Sequence, residues 1–387
     1  MTGLAHPTGI SAQIIEHAID NHVRPADYDV LAVLETPRDF SFSVPDPCDI
    51  LPRQFGFWFH IGPGFGPLVR KTYAYKLLHT RNACILGKDG VPVFAGGWVD
   101  TSYLHYSRGH LPGCQFKRES DRIIAAAPVR TLTGRHFMGF NAGHNNYAHF
   151  LTDQVSILWH YRQNFMADGV RLLMPKGAAA FVTAYLRLLD IPPDLIDLIG
   201  DEVVQVEDVI LPSFYSFDAI PYATVNMLGA FRDSLSLKPA AGRRIFISRR
   251  ETSARPLLNE DSLTARLQHA GFDVIVPGTM TVEAQIQAFS DAEVVVGCHG
   301  AAMANIVYCR PGTRVLELFP EYTVSPHFWM LASHFGLRYG TAFGTSFDWD
   351  MALQDQMGSW GAPFVIDERV IARYLAALPA AGGMDRA

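Results

Sequence analysis

The residues best suited to hold a phosphorylated ligand follow a short apolar segment in the second half of the chain. They are Ser248, Arg249 and Arg250. A planar guanidinium matches phosphate oxygens in a bidentate way, so this arginine pair predicts a diphosphate-binding site. The alternative is structural, with one arginine at the surface and the other paired with Glu251 or Asp273.

A run of small residues after the apolar segment 293–296 forms a second candidate group. Small side chains let backbone amides approach a ligand closely, and the amino terminus of a following helix favours negative charge. The run matches neither the G-x-G-x-x-G fingerprint nor a Walker loop. The histidine of the run, His299, could instead have a structural role in the core. The residues predicted to contact a ligand are Gly297, His299, Gly300, Ala301 and Asn305.

A carboxylate in the next apolar segment completes this group. Glu317 lies in the segment 314–320, and a carboxylate there could accept hydrogen bonds from both hydroxyls of a ribose. The alternative is a salt bridge between Glu317 and either Arg310 or Arg314.

A histidine and a carboxylate in the first half of the chain could carry out proton transfer. The apolar spacing from Tyr147 onward predicts a helix, and His149 and Asp153 are four residues apart on one of its faces. A histidine can act as a general base near neutral pH, and a carboxylate can orient or replace it. Either residue could be the base, and a structural pair on the helix is the alternative.

The sequence predicts no metal site. The histidines between residues 136 and 160 match no zinc-binding spacing, and no H-E-x-x-H motif or run of carboxylates supports them. These histidines are His136, His144, His149 and His160.

Four short apolar segments within residues 243–320 alternate with helical segments. This alternation predicts a parallel sheet with crossover helices. Ligands of such sheets bind beyond the carboxyl ends of the strands, where the candidate residues of this half lie. The second half of the chain is therefore predicted to be a nucleotide-binding α/β domain.

The first half also has an α/β pattern, with a hinge predicted at residues 212–242. The predicted domains are residues 1–222, which begin with an appendage, and residues 223–387. The predicted elements of the first half are a strand at 29–34, a hairpin turning at Asp89-Gly90, two strands separated by a turn at Gly134, a strand at 171–175, a helix at 178–189, and a strand pair or edge strand at 205–212.

Length, charge and cysteine usage narrow the class of protein. A chain of 387 residues predicts two domains, and a net charge of −6 argues against a nucleic-acid partner. The five cysteines form no C-x-x-C pair, which favours a reducing compartment over a disulfide framework. Residues 1–20 predict neither a signal peptide nor a membrane span. The expected location is the cytoplasm, with peripheral attachment at the inner face of the membrane as the alternative.

Taken together, four motifs resemble glycosyltransferase family 61. Their order and spacing agree over about residues 80–345, and the set is far more specific than any one motif. The resemblance implies GT-B architecture, with two Rossmann-like domains facing across a cleft. It also implies an inverting reaction that uses a nucleotide-activated sugar and needs neither metal nor other cofactor. The motifs are Asn-Tyr-Ala-His-Phe-Leu-Thr-Asp at 146–153, Ile-Ser-Arg-Arg at 247–250, Val-Gly-Cys-His-Gly-Ala-Ala-Met-Ala-Asn at 296–305 and Val-Leu-Glu-Leu-Phe-Pro at 315–320.

The resemblance also implies a role for each candidate residue. Arg249 or Arg250 would neutralise the leaving diphosphate, so alanine at either position is expected to lower turnover strongly. Gly300 and neighbouring amides would hold phosphate or ribose, and Glu317 would hold the ribose. The pair at 149 and 153 would lie on the acceptor side.

The predicted function is transfer of a hexose or pentose from a nucleotide sugar to a glycan hydroxyl, in the synthesis of bacterial capsule or lipopolysaccharide. Two alternatives share the fold. One is a non-catalytic protein that binds nucleotide sugars or polysaccharide, and the other is an epimerase-like enzyme acting on a nucleotide sugar alone.

Overall fold

The computed structural model describes residues 28–36, 38–42, 46–47, 68–71, 75–94, 114–117, 122–125, 128–213, 220–238, 240, 242–252, 254–320, 325–346 and 363–379. Residue contacts divide the chain into two units. Unit 1 comprises Met1–Arg38 and Lys71–Phe231, and unit 2 comprises Asp39–Arg70 and Arg232–Ala387. The predicted division after residue 222, with an acceptor side and a nucleotide side, stays a prediction.

The described strands and helices alternate over much of the chain, and they confirm the predicted α/β class. The strands are β1 (Tyr28–Glu35), β2 (Asp39–Phe42), β3 (Asp46–Pro47), β4 (Leu68–Lys71), β5 (Tyr75–Leu86), β6 (Val91–Val93), β7 (Cys114–Lys117), β8 (Arg122–Ala125), β9 (Arg130–Met138), β10 (Arg171–Pro175), β11 (Ile196–Ile199), β12 (Val203–Pro212), β13 (Arg243–Ile247), β14 (Asp273–Ile275), β15 (Ala292–Cys298), β16 (Arg314–Pro320), β17 (Arg338–Ser346) and β18 (Phe364–Val365).

The first helix, α1, covers residues 147–164. It joins a turn at Tyr147–His149, a π-helical segment at Phe150–Gln154 and an α-helix at Val155–Asn164. The other α-helices are α2 (Ala180–Leu188), α3 (Tyr222–Ser234), α4 (Glu260–His269), α5 (Val282–Asp291), α6 (His327–His334) and α7 (Glu368–Ala376). Short 3-10 helices occur at Gly87–Asp89, Met166–Asp168, Pro193–Leu195, Pro277–Thr279 and Ala301–Tyr308.

The larger sheet of unit 1 has the strand order β1-β5-β12-β9-β10-β11, with β6 also paired to β5. Strands β12, β9, β10 and β11 are parallel to their neighbours, whereas the pairs that include β5 are antiparallel. If the four parallel strands are numbered along the chain, their order across the sheet is 3-2-1-4. The direction in which strands are added therefore reverses between β9 and β12.

The larger sheet of unit 2 has the order β14-β13-β15-β16-β17-β18, with β3 also paired to β17. Strands β14, β13, β15, β16 and β17 are parallel, as the alternating pattern predicted. Their order along the chain is 2-1-3-4-5, so this sheet reverses between β13 and β15. Two small sheets, β2-β4 and β7-β8, complete the described strands.

The core of unit 2 explains why its strands are continuously apolar. All seven residues of β15 are buried, because strands inside a parallel sheet are covered on both faces. Val294 and Val296 of β15 pack in one cluster with Leu316 and Leu318 of β16 and Leu263 of α4. A rigid central pair of strands therefore carries the loops that follow β13 and β15.

Two expectations for unit 1 are wrong. Gly134 does not separate two strands, because β9 continues through it with a φ of 83°. The register against β12 shifts between Val206 and Asp208, so the glycine accommodates a bulge rather than a turn. Strand β12 is also not an edge strand, because it lies between β5 and β9.

Other local predictions are confirmed. Strands β5 and β6 form the expected antiparallel pair around Gly90, whose φ is 67°. The strand at 171–175 is confirmed, and the helix expected at 178–189 is α2. The appendage predicted at residues 1–30 lies outside the described residues as far as residue 27, and residues 28–30 belong to β1. Among the helices that the structure describes, none is both long and apolar enough to cross a bilayer.

Candidate active site

The strand reversal in unit 2 coincides with candidate residues from two separate motifs. Ligands of open α/β sheets bind beyond the carboxyl ends of the strands at such a reversal. Here β13 is followed by Ser248 and Arg249, and β15 is followed by His299 and Gly300. The structure therefore brings two predicted motifs, 50 to 52 residues apart along the chain, to one end of one sheet.

Arg249 links these two strand ends through neutral partners. Its Nη1 donates to the His299 carbonyl at 3.0 Å, and its Nη2 donates to the Ala254 carbonyl at 2.6 Å. Burial lowers the pKa of Arg249 from its ordinary value. Among the described residues, no carboxylate forms a salt bridge with this guanidinium. Arg249 is thus a half-buried positive charge with one N–H left on each terminal nitrogen.

Arg255 places a second guanidinium near the first. Burial and then the charge of Arg249 lower the pKa of Arg255 to about 10. Its φ of 53° lies in the left-handed region, which residues with a Cβ seldom adopt outside functional or tightly packed sites. The sequence shows Arg255 only as one of several nearby arginines. Its proximity to Arg249 comes from the turn after β13, which spacing alone does not specify.

Arg250 has a different environment from its neighbour. Its side chain is 54% exposed and pairs with the exposed carboxylate of Asp261. The structural alternative of a surface arginine therefore describes Arg250, although the partner is neither Glu251 nor Asp273. An exposed pair of this kind contributes little to stability.

Three other predicted ligand residues are buried and engaged with protein groups. Ser248 donates its hydroxyl to Glu260 Oε1 at 2.5 Å, and the same oxygen accepts from the Arg249 backbone at 3.1 Å. Asn305 donates to Gln285 Oε1 at 3.0 Å and to the Ala302 carbonyl at 3.1 Å. The third residue is Gly297, where a Cβ would lie 2.9 Å from side-chain atoms of Ile247 and Met303. These contacts support the shape of the loops, whereas Ala301 remains half-buried.

Glu317 is fully buried, and both of its oxygens have partners. Oε1 lies 2.6 Å from His299 Nδ1, and Oε2 accepts a hydrogen bond from the Tyr339 hydroxyl. The expected alternative, a salt bridge with Arg310 or Arg314, is wrong because these two partners occupy the carboxylate instead. The role of Glu317 as a ribose ligand stays a prediction.

The strand reversal in unit 1 carries the other candidate pair. Strand β9 ends at Met138, and the loop after it leads to Asn146, which caps α1 by accepting from the backbone N–H of Ala148 at 3.0 Å. His149 and Asp153 follow on the first turns of this helix. The amino terminus of α1 therefore lies at the edge of the sheet where ligands of this fold class bind.

The geometry of this pair distinguishes its two members. His149 Nδ1 lies 3.5 Å from Asp153 Oδ2, with side chains 11% and 3% exposed. The hydroxyl of Thr152 donates to the other oxygen, Asp153 Oδ1, at 2.8 Å. The more accessible imidazole is thus backed by a buried carboxylate, which is the arrangement of a base and its orienting group.

A π-helical segment sets the direction of these side chains. It covers Phe150–Gln154, and such bulges occur often at functional sites because they re-aim side chains within a helix. Gln154 donates to Asn141 Oδ1 at 2.9 Å, and the same oxygen accepts from the Gly143 backbone at 2.8 Å. The bulge is therefore tied to the loop that precedes the helix.

Comparison with known sequences decides the family of this region. Residues 147–316 match the family described as Glycosyltransferase 61. This region belongs to glycosyltransferase family 61. The match begins with the first residue of α1 and ends within β16, so it contains the strand reversal of unit 2 and every candidate ligand or catalytic residue except Glu317, which follows it directly. Strand β9, on one side of the reversal in unit 1, precedes the match.

Three curated relatives align with shorter parts of the chain. Beta-1,2-xylosyltransferase of Arabidopsis thaliana is 27% identical over 117 residues, covering 24% of this chain and 22% of that protein. Xylan glycosyltransferase MUCI21 of Arabidopsis thaliana is 31% identical over 94 residues, covering 23% and 19%. Beta-1,2-xylosyltransferase RCN11 of Oryza sativa subsp. japonica is 35% identical over 60 residues, covering 16% and 11%. The chain thus spans about a fifth or less of the length of these relatives.

Within the family 61 region, Gly300 permits the close approach of Arg249. A Cβ at position 300 would lie 2.0 Å from Arg249 Nη1, so Gly300→Ala is expected to displace the guanidinium. We expect roughly tenfold weaker binding of a nucleoside diphosphate with little loss of thermal stability. Calorimetric titration measures the affinity. Gly229→Ala is the matched control, because a Cβ there meets nothing within 4 Å. Equal affinities in both variants would contradict the expectation.

His144, in the loop before α1, gives this unit a pH-dependent stability. Burial lowers the pKa of His144 below its ordinary value, although Nδ1 also donates to the Asn141 carbonyl at 3.0 Å. Below about pH 6.5, His144 binds a proton in the unfolded chain but stays neutral in the folded protein. The free energy of unfolding therefore falls as the pH drops through that value. His144→Gln removes the group that titrates. The loss of unfolding free energy relative to the wild type, measured with urea, should therefore be smaller at about pH 5 than at about pH 7.5. A cost independent of pH would refute the assignment.

The prediction of no metal site overlooked two D-x-D triplets, Asp27-Tyr28-Asp29 and Asp348-Trp349-Asp350, each of which is a carboxylate pair able to bind a cation. Asp27 and the whole of the second triplet lie outside the described residues. Within the part of the chain that the structure describes, no three His, Cys, Asp or Glu side chains cluster as metal ligands.

Proposed function

We propose that this protein is an inverting glycosyltransferase that moves a sugar from a nucleotide-sugar donor to a glycan hydroxyl. The observation that carries the proposal is Arg249, a half-buried guanidinium whose bonds to the described residues are all to carbonyl groups, at the strand reversal of a family 61 region. A half-buried guanidinium without a salt-bridge partner is stabilised by an anion that binds beside it. The diphosphate of a nucleotide sugar supplies that anion.

In this proposal the guanidinium groups take the charge of the leaving group. As the acceptor oxygen attacks the anomeric carbon, the bond from that carbon to the diphosphate oxygen breaks and its electron pair stays on the diphosphate. Arg249, with Arg255 near it, stabilises this developing charge without reorganising water. Backbone groups around Gly300 line the same strand end and complete the anion site.

The acceptor hydroxyl must lose its proton in the same step. His149 is the proposed base, and Asp153 is the residue that orients it and stabilises the imidazolium that forms. The support is geometric, because Asp153 is the more buried member and already accepts from Thr152. For the base in unit 1 to act on a donor in unit 2, the two binding edges must face each other. We therefore retain the GT-B arrangement as part of the proposal.

The proposed donor sugar is a pentose, with xylose tested first. The named relatives include two beta-1,2-xylosyltransferases and a xylan glycosyltransferase. Each shares only a short stretch with this chain, so their substrates guide the choice of donor panel. All three are plant proteins, and they lend no support to a role in bacterial capsule or lipopolysaccharide. The cytoplasmic location and peripheral membrane contact stay predictions from the sequence.

The experiment that tests this function is acceptor-dependent release of the nucleoside diphosphate. The purified protein is incubated with radiolabelled UDP-xylose, and then with other nucleotide sugars, with and without xylan oligosaccharides and other glycans. Transfer of label to an acceptor supports the proposal. Binding of donors without any transfer would favour a non-catalytic binder. Conversion of the donor sugar without an acceptor would favour an epimerase-like enzyme.

The transfer is expected to continue at full rate in excess EDTA, because guanidinium groups take the place of a cation. Initial rates with EDTA, and with EDTA followed by excess manganese, measure this. The variant Asp348→Asn with Asp350→Asn is the matched control, since it removes the carboxylates of the second D-x-D triplet and should keep its rate. Loss of activity in EDTA that manganese restores, together with an inactive double variant, would show that the reaction needs a metal.

A further inference from the structure

Glu317 lies between His299 and Tyr339 in a buried chain of hydrogen bonds. Burial and then the charge of Glu317 raise the pKa of Tyr339 well above its ordinary value, so the tyrosine hydroxyl keeps its proton and donates it to Glu317 Oε2. The other oxygen is taken by His299 Nδ1 at 2.6 Å. Glu317 is also fully buried, so a ribose could reach this carboxylate only if neighbouring groups moved. The structure therefore points to a role for Glu317 that acts through His299.

The ring of His299 is held in one orientation. A carboxylate oxygen 2.6 Å from Nδ1 is a suitable acceptor for an N–H at that nitrogen, and the Tyr339 hydroxyl occupies the other carboxylate oxygen. The imidazole stacks on Phe319 with centroids 5.1 Å apart and an interplanar angle of 20°, and it packs against Phe328 at 5.4 Å. The backbone carbonyl of the same histidine accepts from Arg249 Nη1. The ring is thus fixed in the loop that anchors the proposed diphosphate ligand.

We propose that His299 is a third cationic group of the anion site, which takes up a proton when an anion binds, and that Glu317 and Tyr339 are the residues that position it. This inference rests on the proposed function and names one further part of its donor site. Arg249 contacts the backbone carbonyl of His299, so a diphosphate at Arg249 adds negative charge beside the residue whose imidazole already faces a carboxylate, and that charge favours the imidazolium. The proton comes from solvent, and no covalent bond of the ligand changes.

The groups around His299 set the balance between its neutral and charged forms. The nearby guanidinium groups disfavour the imidazolium before a ligand binds, whereas the carboxylate favours it. Burial raises the pKa of Cys298 to about 12 and keeps this thiol neutral. The charged and titratable groups on the neighbouring elements are Glu317 on β16, Tyr339 on β17, Cys298 on β15, Arg249 and Arg255 after β13, Glu260 on α4, and His327 on α6, which packs on Phe328.

The test compares anion affinity with pH for two probes whose charge is constant between about pH 6 and about pH 8.5. They are sulfate, which is fully ionised in this range, and UDP-xylose, in which each phosphate carries one ester link, one anhydride link and a single strongly acidic group. Calorimetry in buffers of different ionisation enthalpy counts the protons taken up on binding. The wild-type protein should take up a proton, and its affinity should fall about tenfold across this range. His299→Gln should show no uptake and a flat profile.

Two further variants separate positioning from simple destabilisation. Glu317→Gln should move the fall in affinity to lower pH, because it removes the negative charge that stabilises the His299 imidazolium. Tyr339→Phe should move it by a smaller amount, because it removes only a hydrogen bond that holds the Glu317 carboxylate. Tyr161→Phe is the matched control, since it removes a comparable buried bond, from Tyr161 to the Val170 carbonyl, in the other unit. The Tyr161→Phe variant should keep the wild-type dependence of anion affinity on pH, even if its melting temperature falls.

The outcomes also separate this inference from the proposed function. Proton uptake with sulfate but no binding of any nucleotide sugar would support the role of His299 and overturn the proposed donor. Transfer of sugar without proton uptake, or a wild-type profile in His299→Gln, would overturn the role of His299 and leave the transferase standing. No binding of either probe would overturn both.

Discussion

Replacing Arg249 with alanine is expected to lower kcat by about 10²–10³-fold, whereas replacing Arg250 is expected to change it by less than about threefold. The two arginines are adjacent in sequence, but their surroundings differ. Arg249 is half-buried and bonded to two carbonyl groups, and Arg250 is exposed and paired with Asp261. The sequence alone predicts a strong effect at both positions. The structure restricts that expectation to the first.

Steady-state rates with the donor and acceptor found by the panel measure this difference. Arg250→Ala is the matched control, because it removes the same side chain from the next position. Arg249→Lys adds a finer test, since lysine keeps the charge but loses the planar fork, and we expect a rate between those of the wild type and Arg249→Ala. Equal losses in the two alanine variants, or a larger loss at Arg250, would show that the wrong arginine has been assigned.

Replacing His149 with glutamine is expected to lower kcat by about 10²–10⁴-fold while the KM for the donor changes little. The proposed base acts on the acceptor proton and takes no part in donor binding. Asp153→Asn should cost less, because asparagine still occupies the space beside the imidazole but no longer stabilises its charged form. The double variant should be no slower than His149→Gln alone, since the two residues act as one unit.

The control for this prediction lies on the same helix. His160→Gln changes a half-buried histidine near the carboxyl end of α1, where Nδ1 lies 3.3 Å from the Asn164 side-chain nitrogen. It should keep the wild-type kcat. The assignment of roles would be reversed if Asp153→Asn proved slower than His149→Gln. It would be wrong altogether if both single variants transferred sugar at the wild-type rate.

Some parts of the fold were predictable, namely those that depend on the spacing of apolar residues and on the length of apolar segments. The segments that became β13, β15 and β16 are continuous apolar runs because a parallel sheet buries both faces. The ends of β13 and β15 were already marked by Ser248-Arg249 and by His299-Gly300. Since ligands bind at carboxyl ends, the sequence placed these residues on the correct edge before their contacts were known.

Contacts that depend on side-chain direction were not predictable. Successive residues that leave a strand point to different sides, so Arg249 and Arg250 look equivalent in the sequence and differ in the structure. Glu317 is opposite Thr341 in the register of β16 and β17, and Tyr339 lies two positions earlier on β17. No spacing rule joins that tyrosine to the carboxylate. The continuous course of β9 through Gly134 was missed for a similar reason, because a bulge and a turn share the same glycine signal.

The most direct test of the account is a crystal structure of the protein with a nucleoside diphosphate, grown in EDTA. The account predicts that the diphosphate lies beyond the ends of β13 and β15, with phosphate oxygens about 3 Å from the terminal nitrogens of Arg249 and no cation between them. A diphosphate bound away from Arg249 would contradict it. So would a nucleotide that binds only after a divalent ion is restored, with that ion carrying the phosphates.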